Sequence, residues 1–376
     1  AVAGRAEAGA CDDAPPEWLV CEDFEAGGLG WERWFAQSPW VECISCPNGV
    51  NDPARIRLVD DPAQAHGGRW SLHMPAEAGG GYQGGALTWR SCDGPKRQGC
   101  RLTGRDELYM RAWVRLADDH QKVHHFLSID GTRPGGYWES DGNAGCRPNG
   151  LSWAGTTLDF NERRELFFYT YFPGMRCDRG GYCSGDRVRQ ICDLCATKGM
   201  PCDGGPECCW GNLFQSAAPV ILPRGRWACL EIQMRLNTPG QADGTMAYWL
   251  DGQLGHAQAG MRWRETDALQ LNKVWLQHYL AAGDADRPNR VWFDDVVVST
   301  APIGCGFAPP ASATAVTSPA APTAVASPSP SDTATAAATS TGEPSPSPTP
   351  RPTLGPSGSA TPARDRIALP WLDGGA

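Results

Sequence analysis

Between residues 11 and 307 the chain repeats one pattern: short runs in which apolar and polar side chains alternate, closed off by Gly, Pro, Asn or Asp. In RWACLEIQMRLN the apolar set is Ala228, Leu230, Ile232, Met234 and Leu236, and between them stand Trp227, Cys229, Glu231, Gln233, Arg235 and Asn237. A period of two sends the sets to opposite faces of an extended strand, so one face packs and the other meets water. LYMRAWVRL divides the same way, with Leu108, Met110, Ala112, Val114 and Leu116 against Tyr109, Arg111, Trp113 and Arg115. In KVHHFLSI the parity places Val123, His125, Leu127 and Ile129 inward and Lys122, His124 and Ser128 outward. In ELFFYTYFPG it buries Leu166, Phe168 and Phe172 and turns Tyr169 and Tyr171 outward. TMAYWLDGQL, KVWLQHYL and RVWFDDVVVST read as further strands, and Asp251-Gly252 is the signature of a tight hairpin turn. No stretch of this region keeps a 3.6-residue period long enough for a long helix. Many antiparallel strands in one large unit predict an all-β protein, a β-jelly-roll sandwich of concanavalin-like type.

The outward faces are unusual for surfaces that only meet solvent. They mix Trp and Tyr with Arg, Lys, His and Gln, where Lys, Glu and Thr without large rings would be expected. Aromatic rings cover the CH faces of pyranoses and fixed donors read hydroxyls and carboxylates, so the pattern predicts a sugar-binding groove. Trp113, Arg115, Gln233, Arg235, Gln277 and Tyr279 are candidate substrate contacts, and Arg111 is the leading candidate for gripping a carboxylate.

Composition narrows the setting. A formal net charge of -9 argues against a general nucleic-acid binder, which needs a basic face. Sixteen cysteines point to an oxidising compartment, hence a protein that is secreted or on the cell surface. No apolar run is long enough for a membrane span. Residues 1–10 lack an apolar signal core and are expected to be disordered. From 308 to 365 the chain is Pro, Ser, Thr and Ala, a composition that cannot offset its own ordering entropy and predicts a disordered tether. RIALPWLDGG within residues 366–376 regains apolar bulk and reads as a short tag for surface attachment. The folded part is expected to be a monomer.

Residues 177–209 hold seven cysteines and hardly any apolar bulk, so this insert must be stapled. CxxC pairs at Cys43/Cys46 and Cys192/Cys195 admit a zinc site, but adjacent Cys208 and Cys209 suit two divergent disulfides better than one tetrahedral ion. Seven is odd, so at least one bond must leave the insert, with Cys146 and Cys229 the candidate partners. Because the insert follows the Tyr169/Tyr171 strand, it is expected to rise beside one end of the groove.

GRWACLEIQMRLNTPGQADGTMAYWLDGQ, VWLQHYL, NRVWFDDVVVST, KVHHFLS and FFYTYFPG together resemble the jelly-roll polysaccharide lyases, the group of alginate and glucuronan lyases and their non-catalytic relatives from cellulolytic secretomes. The resemblance spans residues 109–300 without the cysteine-rich part. It implies cleavage of an acidic polysaccharide by β-elimination, in which a base removes the proton beside a uronate carboxylate and an acid protonates the departing 4-oxygen. In that family a YxY pair and a basic residue on the neighbouring strand do this; Tyr169 and Tyr171 match the pair, and Lys122 or His124 the basic position. The family's alginate lyases also carry Ser-x-Arg on the strand before the pair, whereas LSWAGTTLDF has no arginine. CEDFE and FDDVV resemble terminal strands of sandwich carbohydrate modules that share a structural calcium, which implies Glu25 and Asp294, with Asp23, as ligands. Two rival readings remain at this point: a carbohydrate-binding protein without turnover, and a glycoside hydrolase using Glu165 and Glu231.

Overall fold

The computed structural model describes residues 11, 14–26, 40–43, 54–77, 83–93, 100–177, 186–197, 199–200, 209–280 and 286–306. The disordered ends, the tether and the tag expected from the sequence lie outside the described residues.

Alternation becomes two stacked antiparallel sheets, with strands numbered in chain order. The back sheet runs β15 (Gln253–Met261), β14 (Gly244–Leu250), β13 (Trp227–Arg235), β8 (Glu107–Leu116), β17 (Asn289–Ser299), β4 (Trp70–Ala76) and β3 (Arg57–Asp60). A further strand, β1 (Trp18–Glu22), pairs with β17. The front sheet runs β12 (Asn212–Phe214), β11 (Leu166–Tyr171), β10 (Trp153–Phe160), β9 (His125–Thr132), β16 (Gln270–Leu280), β5 (Gln83–Arg90) and β2 (Trp40–Cys43). A small ladder of β6 (Cys92–Asp93) and β7 (Arg101–Leu102) stands apart.

The apolar parity sets meet between the sheets. Leu108, Met110, Leu230, Ile232 and Phe293 from the back join Leu127, Ile129, Leu158, Phe168 and Leu276 from the front in one cluster with no measurable exposure. Each such side chain contributes on the order of 2 kcal/mol by leaving water, which fixes the register, since a slip of one residue would turn every one of them outward. At the predicted hairpin, Asp251 and Gly252 have φ of 51° and 77°, the left-handed pair that the tight turn between β14 and β15 requires.

No long helix was expected, but a short one, α1 (Asp186–Thr197), forms inside the insert. In the sequence Val188, Ile191, Cys192 and Cys195 are spaced i, i+3, i+4, i+7, a helical pattern that emerges only when cysteine is counted as an apolar residue. As expected, the insert is stapled and one bond leaves it: Cys195 joins Cys146, while Cys177 joins Cys209. Cys229 instead joins Cys305, and Cys11–Cys21 and Cys92–Cys100 complete the described bonds.

Candidate functional site

Antiparallel register carries the outward residues of the front sheet into transverse rows. Tyr169 faces Thr157, which faces Ser128, which faces Trp275. One row along, Tyr171 faces Gly155, then Asp130, Lys273 and Arg90. The two phenols are half-buried and 3.3 Å apart at their oxygens. Gln277 donates through Nε2 to the Ser128 hydroxyl at 2.9 Å, and that hydroxyl lies 2.8 Å from Thr157 Oγ1. Tyr279 closes the far side. Of the residues singled out in the sequence, Tyr169, Tyr171, Gln277, Tyr279 and His124 are therefore brought to one face.

His125 was expected to point inward and does not. Register between β16 and β9 slips between Leu276 and Tyr279, so that Leu276 faces Leu127 but Tyr279 faces His125. This irregularity sends Phe126 inward and His125 outward, while Val123 stays in the core. The His125 ring stacks on Tyr279 at 5.6 Å, lies 5.5 Å from the Tyr169 ring, and has His124 at 4.5 Å. Its Nδ1 is 3.2 Å from Asp159 Oδ2, and Asp159 Oδ1 accepts the backbone N–H of Phe126 at 3.0 Å. Asp159, missed in the sequence, sits on β10 in LSWAGTTLDF, the segment without the family's arginine.

Five candidates belong to a different surface. Arg111, Trp113, Arg115, Gln233 and Arg235 do face outward, but from β8 and β13 in the back sheet. Arg111 is sealed there, donating to the carbonyls of Gly304 and Asp295 at 3.1 and 3.3 Å, with Trp18 5.4 Å from its guanidinium. Gln233 donates to Glu107, Arg115 to the Ala63 carbonyl and Arg235 to the Asp243 carbonyl, while Trp113 stacks on His66. Lys122 forms an ion pair with Glu162 at 3.2 Å. The hydrolase pair separates for the same reason: Glu165 binds Asn161 and Arg163 beside the front sheet, whereas Glu231 accepts the N–H groups of Ile303 and Gly304 on the back.

Two cations of the front face also escaped sequence reasoning. Lys273 and Arg90 are fully buried; Asp141 bridges them, 2.6 Å from Lys273 Nζ and 2.9 Å from Arg90 Nη2, and Lys273 lies 3.5 Å over the Trp275 ring. Burial raises the carboxyl of neighbouring Asp130 to about 6, against the pull of Lys273.

Loss of water dominates the site's electrostatics. Burial pushes the Tyr169 phenol well up, and the neighbouring Tyr171 adds to the shift. Tyr171 is raised by burial too, but Tyr169 and the backbone N–H groups of Gly145 and Gly211 pull it back. Burial likewise pushes the Asp159 carboxyl well above the usual range, with the His124 charge and the Phe126 N–H opposing.

Glu25 and Asp294 both reach the loop of residues 66–70. Glu25 accepts the N–H groups of Arg69 and Trp70 at 2.8 and 2.7 Å, and Asp294 accepts that of His66 at 2.8 Å. Asp23 instead accepts the N–H of Glu25. Among the described residues no three His, Cys, Asp or Glu side chains converge as a metal cluster.

A two-sheet antiparallel sandwich, with phenols and imidazoles gathered on the outer face of one sheet, has the jelly-roll fold found in polysaccharide lyases. The solved structures it resembles include an alginate lyase from a Chlorella virus, at TM-score 0.50 and 12% identity over 76% of this chain and 100% of that one. An endo-β-1,4-glucuronan lyase from Trichoderma reesei matches at TM-score 0.44 and 16% identity, over 76% of this chain and 96% of that one. A cellulose-induced protein matches at TM-score 0.43 and 17% identity, over 76% of this chain and 100% of that one. No protein-family model matches the chain, and no curated protein matches it in sequence.

Proposed function

We propose that the chain is an exported polysaccharide lyase that cleaves an acidic, uronate-containing polysaccharide by β-elimination. The observation that supports it most is the meeting of Tyr169, Tyr171 and an Asp159-held His125 on one outward face. In its ionised form Asp159 accepts the Nδ1–H of His125, which leaves Nε2 as the accepting nitrogen. The proton beside the uronate carboxylate moves to Nε2, its electrons form the ring double bond, and the bond to the 4-oxygen breaks. That oxygen takes a proton from the tyrosine pair, whose raised phenols keep their protons near neutral pH and so serve as donors. Gln277 and Tyr279 contribute neutral donors for the carboxylate, where charge builds up during the step.

Calcium belongs to this reading as a structural ion. Asp294 is buried beside Asp295, and burial together with that like charge raises it to about 8, a situation a divalent cation relieves. Glu25 and Asp294, which both reach the 66–70 loop, would hold it there.

The test is incubation with alginate, glucuronan, pectate and a glycosaminoglycan, following the ultraviolet absorbance of unsaturated uronate ends. One polymer should yield such ends, and Tyr169→Phe should abolish them. Binding to a polymer with no new ends from any of the four rejects the lyase reading in favour of a carbohydrate-binding protein without turnover.

A further inference from the structure

We infer that the front-face trough is blind at its Tyr171 end, so that the protein attacks an acidic chain from its non-reducing terminus and frees one sugar per cycle. The inference rests on the lyase reading and adds to it the point where the chain must stop. His125, Tyr169, Tyr171 and Trp153 form a line of rings, with neighbouring centroids 5.5, 5.5 and 5.2 Å apart. The line steps two residues at a time along β10: His125 meets Asp159, Tyr169 pairs with Thr157, Tyr171 pairs with Gly155, and Trp153 comes next. By the parity of β10, Trp153 faces outward with Gly155 and Thr157, since Ala154 and Leu158 lie in the core. It is nevertheless only 4% exposed, and its partner Thr132 is not exposed at all, nor are Lys273 and Arg90 in the row of Tyr171. An outward side chain on a sheet is buried in this way when chain lies across that face.

Two connected pieces of chain do so. Over β16 and β5, residues 137–141 are pinned down: Lys273 donates to Ser140 and Asp141 at 3.2 and 2.6 Å, and Arg90 donates to Asp141 and to the Tyr137 carbonyl at 2.9 and 2.6 Å. Over β10, the Cys146–Cys195 bond and Met200 bury Trp153, whose Nε1–H donates to Met200 Sδ at 2.9 Å. Cys146 ends the same loop that begins after β9, so ion pairs fasten the wall on one side and a disulfide fastens it on the other. The opposite end of the trough meets solvent among the described residues: beyond His125, the paired side chains of Lys122 and Glu162 are 26% and 71% exposed. Chemistry then fixes which terminus enters. Elimination breaks the bond between C4 of the uronate and its 4-oxygen, and that oxygen departs on C1 of the sugar on the non-reducing side. Because the tyrosine pair protonates it, the departing sugar lies on the tyrosine side of His125, toward the wall. Trp153 is two residues past the partner of Tyr171, so about 7 Å of strand separates the last phenol from the wall. One pyranose fits in that length and a longer run does not, while the uronate and the rest of the chain extend past His125 toward the open end.

The test follows viscosity, product size and an end label on whichever of alginate, glucuronan, pectate and a glycosaminoglycan yields unsaturated ends. Those ends should accumulate while viscosity barely falls, and single sugars should be the product from the first turnovers. With a fluorophore on the reducing end, the label should stay on long chains until the reaction is nearly complete. An early collapse of viscosity, or label on short products at the outset, overturns the inference. Trp153→Ala, which hollows out the closed end, should release products two or more sugars long. A folded Trp153→Ala protein that still frees only single sugars overturns the inference as well, and the wild-type measurements decide it where that variant does not fold. If no polymer is turned over, the lyase reading fails, and binding decides the blind end: capture per gram should rise in proportion to the number of chain ends when the polymer is fragmented. Equal capture per gram of long and fragmented polymer, or no capture of any of the four, overturns the inference.

Discussion

A period of two tells inside from outside, and that is why the tyrosine pair was legible: β11 runs without a bulge, so Leu166 and Phe168 go in and Tyr169 and Tyr171 out. In a sandwich, though, there are two outsides, and parity cannot say which. Arg111 and Tyr169 share the same outward signature and end on opposite faces of the molecule, because pairing between β8 and β13 is set by long-range register that no local pattern encodes. His125 was lost to a different cause, a single slip that parity counts straight through. These distinctions have measurable consequences. His125→Ala should lower kcat on the order of 100-fold or more, the usual weight of a positioned base, with KM nearly unchanged; a kcat within error of wild type removes His125 from the chemistry. Gln233→Ala and Arg235→Ala, on the back sheet, should leave kcat/KM unchanged on every polymer. Arg111→Ala should instead unfold at lower denaturant, by roughly 2 kcal/mol, since it strands two carbonyls that now share a buried guanidinium. Loss of turnover at full stability in any of these three would return the back-sheet arginines to the site.

At the scale of elements, the face that carries the site is shaped where β5, β16 and β9 meet. Gly84 pairs with Tyr279 and has φ of 108°, and a Cβ there would run into the carbonyl of His278. Gly84→Ala should therefore cost on the order of 3 kcal/mol and move Tyr279 away from His125, seen as a kcat loss in whatever fraction remains folded. A Gly84→Ala protein as stable as wild type would show that the close approach of β5 to β16 is not required. The acids at the start of the chain and in β17 make a second case. If Glu25 and Asp294 hold calcium, the ion at a hundred times its dissociation constant should add about 2.7 kcal/mol to stability, and Glu25→Gln should erase that increment. Identical melting in calcium and in chelator would leave the two carboxylates as clamps on the 66–70 loop. The two carboxylates were legible in the sequence but their meeting place was not, because the loop that receives both lies in a stretch without any strand pattern of its own. Helix α1 was hidden by a similar ambiguity: its sequence pattern is half cysteine, and cysteines in a cysteine-rich chain read first as staples.

For the whole molecule, two sheets must stay apposed, and one polar contact between them sets an acid limit. His278 on β16 uses Nδ1 to meet the carbonyl of Met74 on β4, at 2.7 Å, so a front strand is tied to a back strand through a neutral imidazole. Its Nε2 lies 2.9 Å from Nε2 of His120, and both rings are completely buried. The groups facing this pair are adverse to charge: Arg224 and Arg164 act on His120, His73 acts on His278, and the Phe160 ring lies 5.5 Å from the His120 ring. Burial lowers His278 to about 3 and, with His278 and the arginines, pushes His120 well below its ordinary value. The folded protein thus binds fewer protons than the unfolded chain between about pH 3 and 6.5, so stability is fully present above the unfolded value and falls as pH drops through that window. Each histidine removes about 1.4 kcal/mol per pH unit below 6.5, and two units of acidification at two histidines approach the whole stability of a typical domain. Denaturant melts from pH 7 to 4.5 should show a steep loss beginning near 6.5, and His278→Asn, which keeps a donor near the Met74 carbonyl without a titrating ring, should flatten it. A wild-type curve level across that range, or a His278→Asn curve of equal slope, would mean that protons reach the pair without separating the sheets.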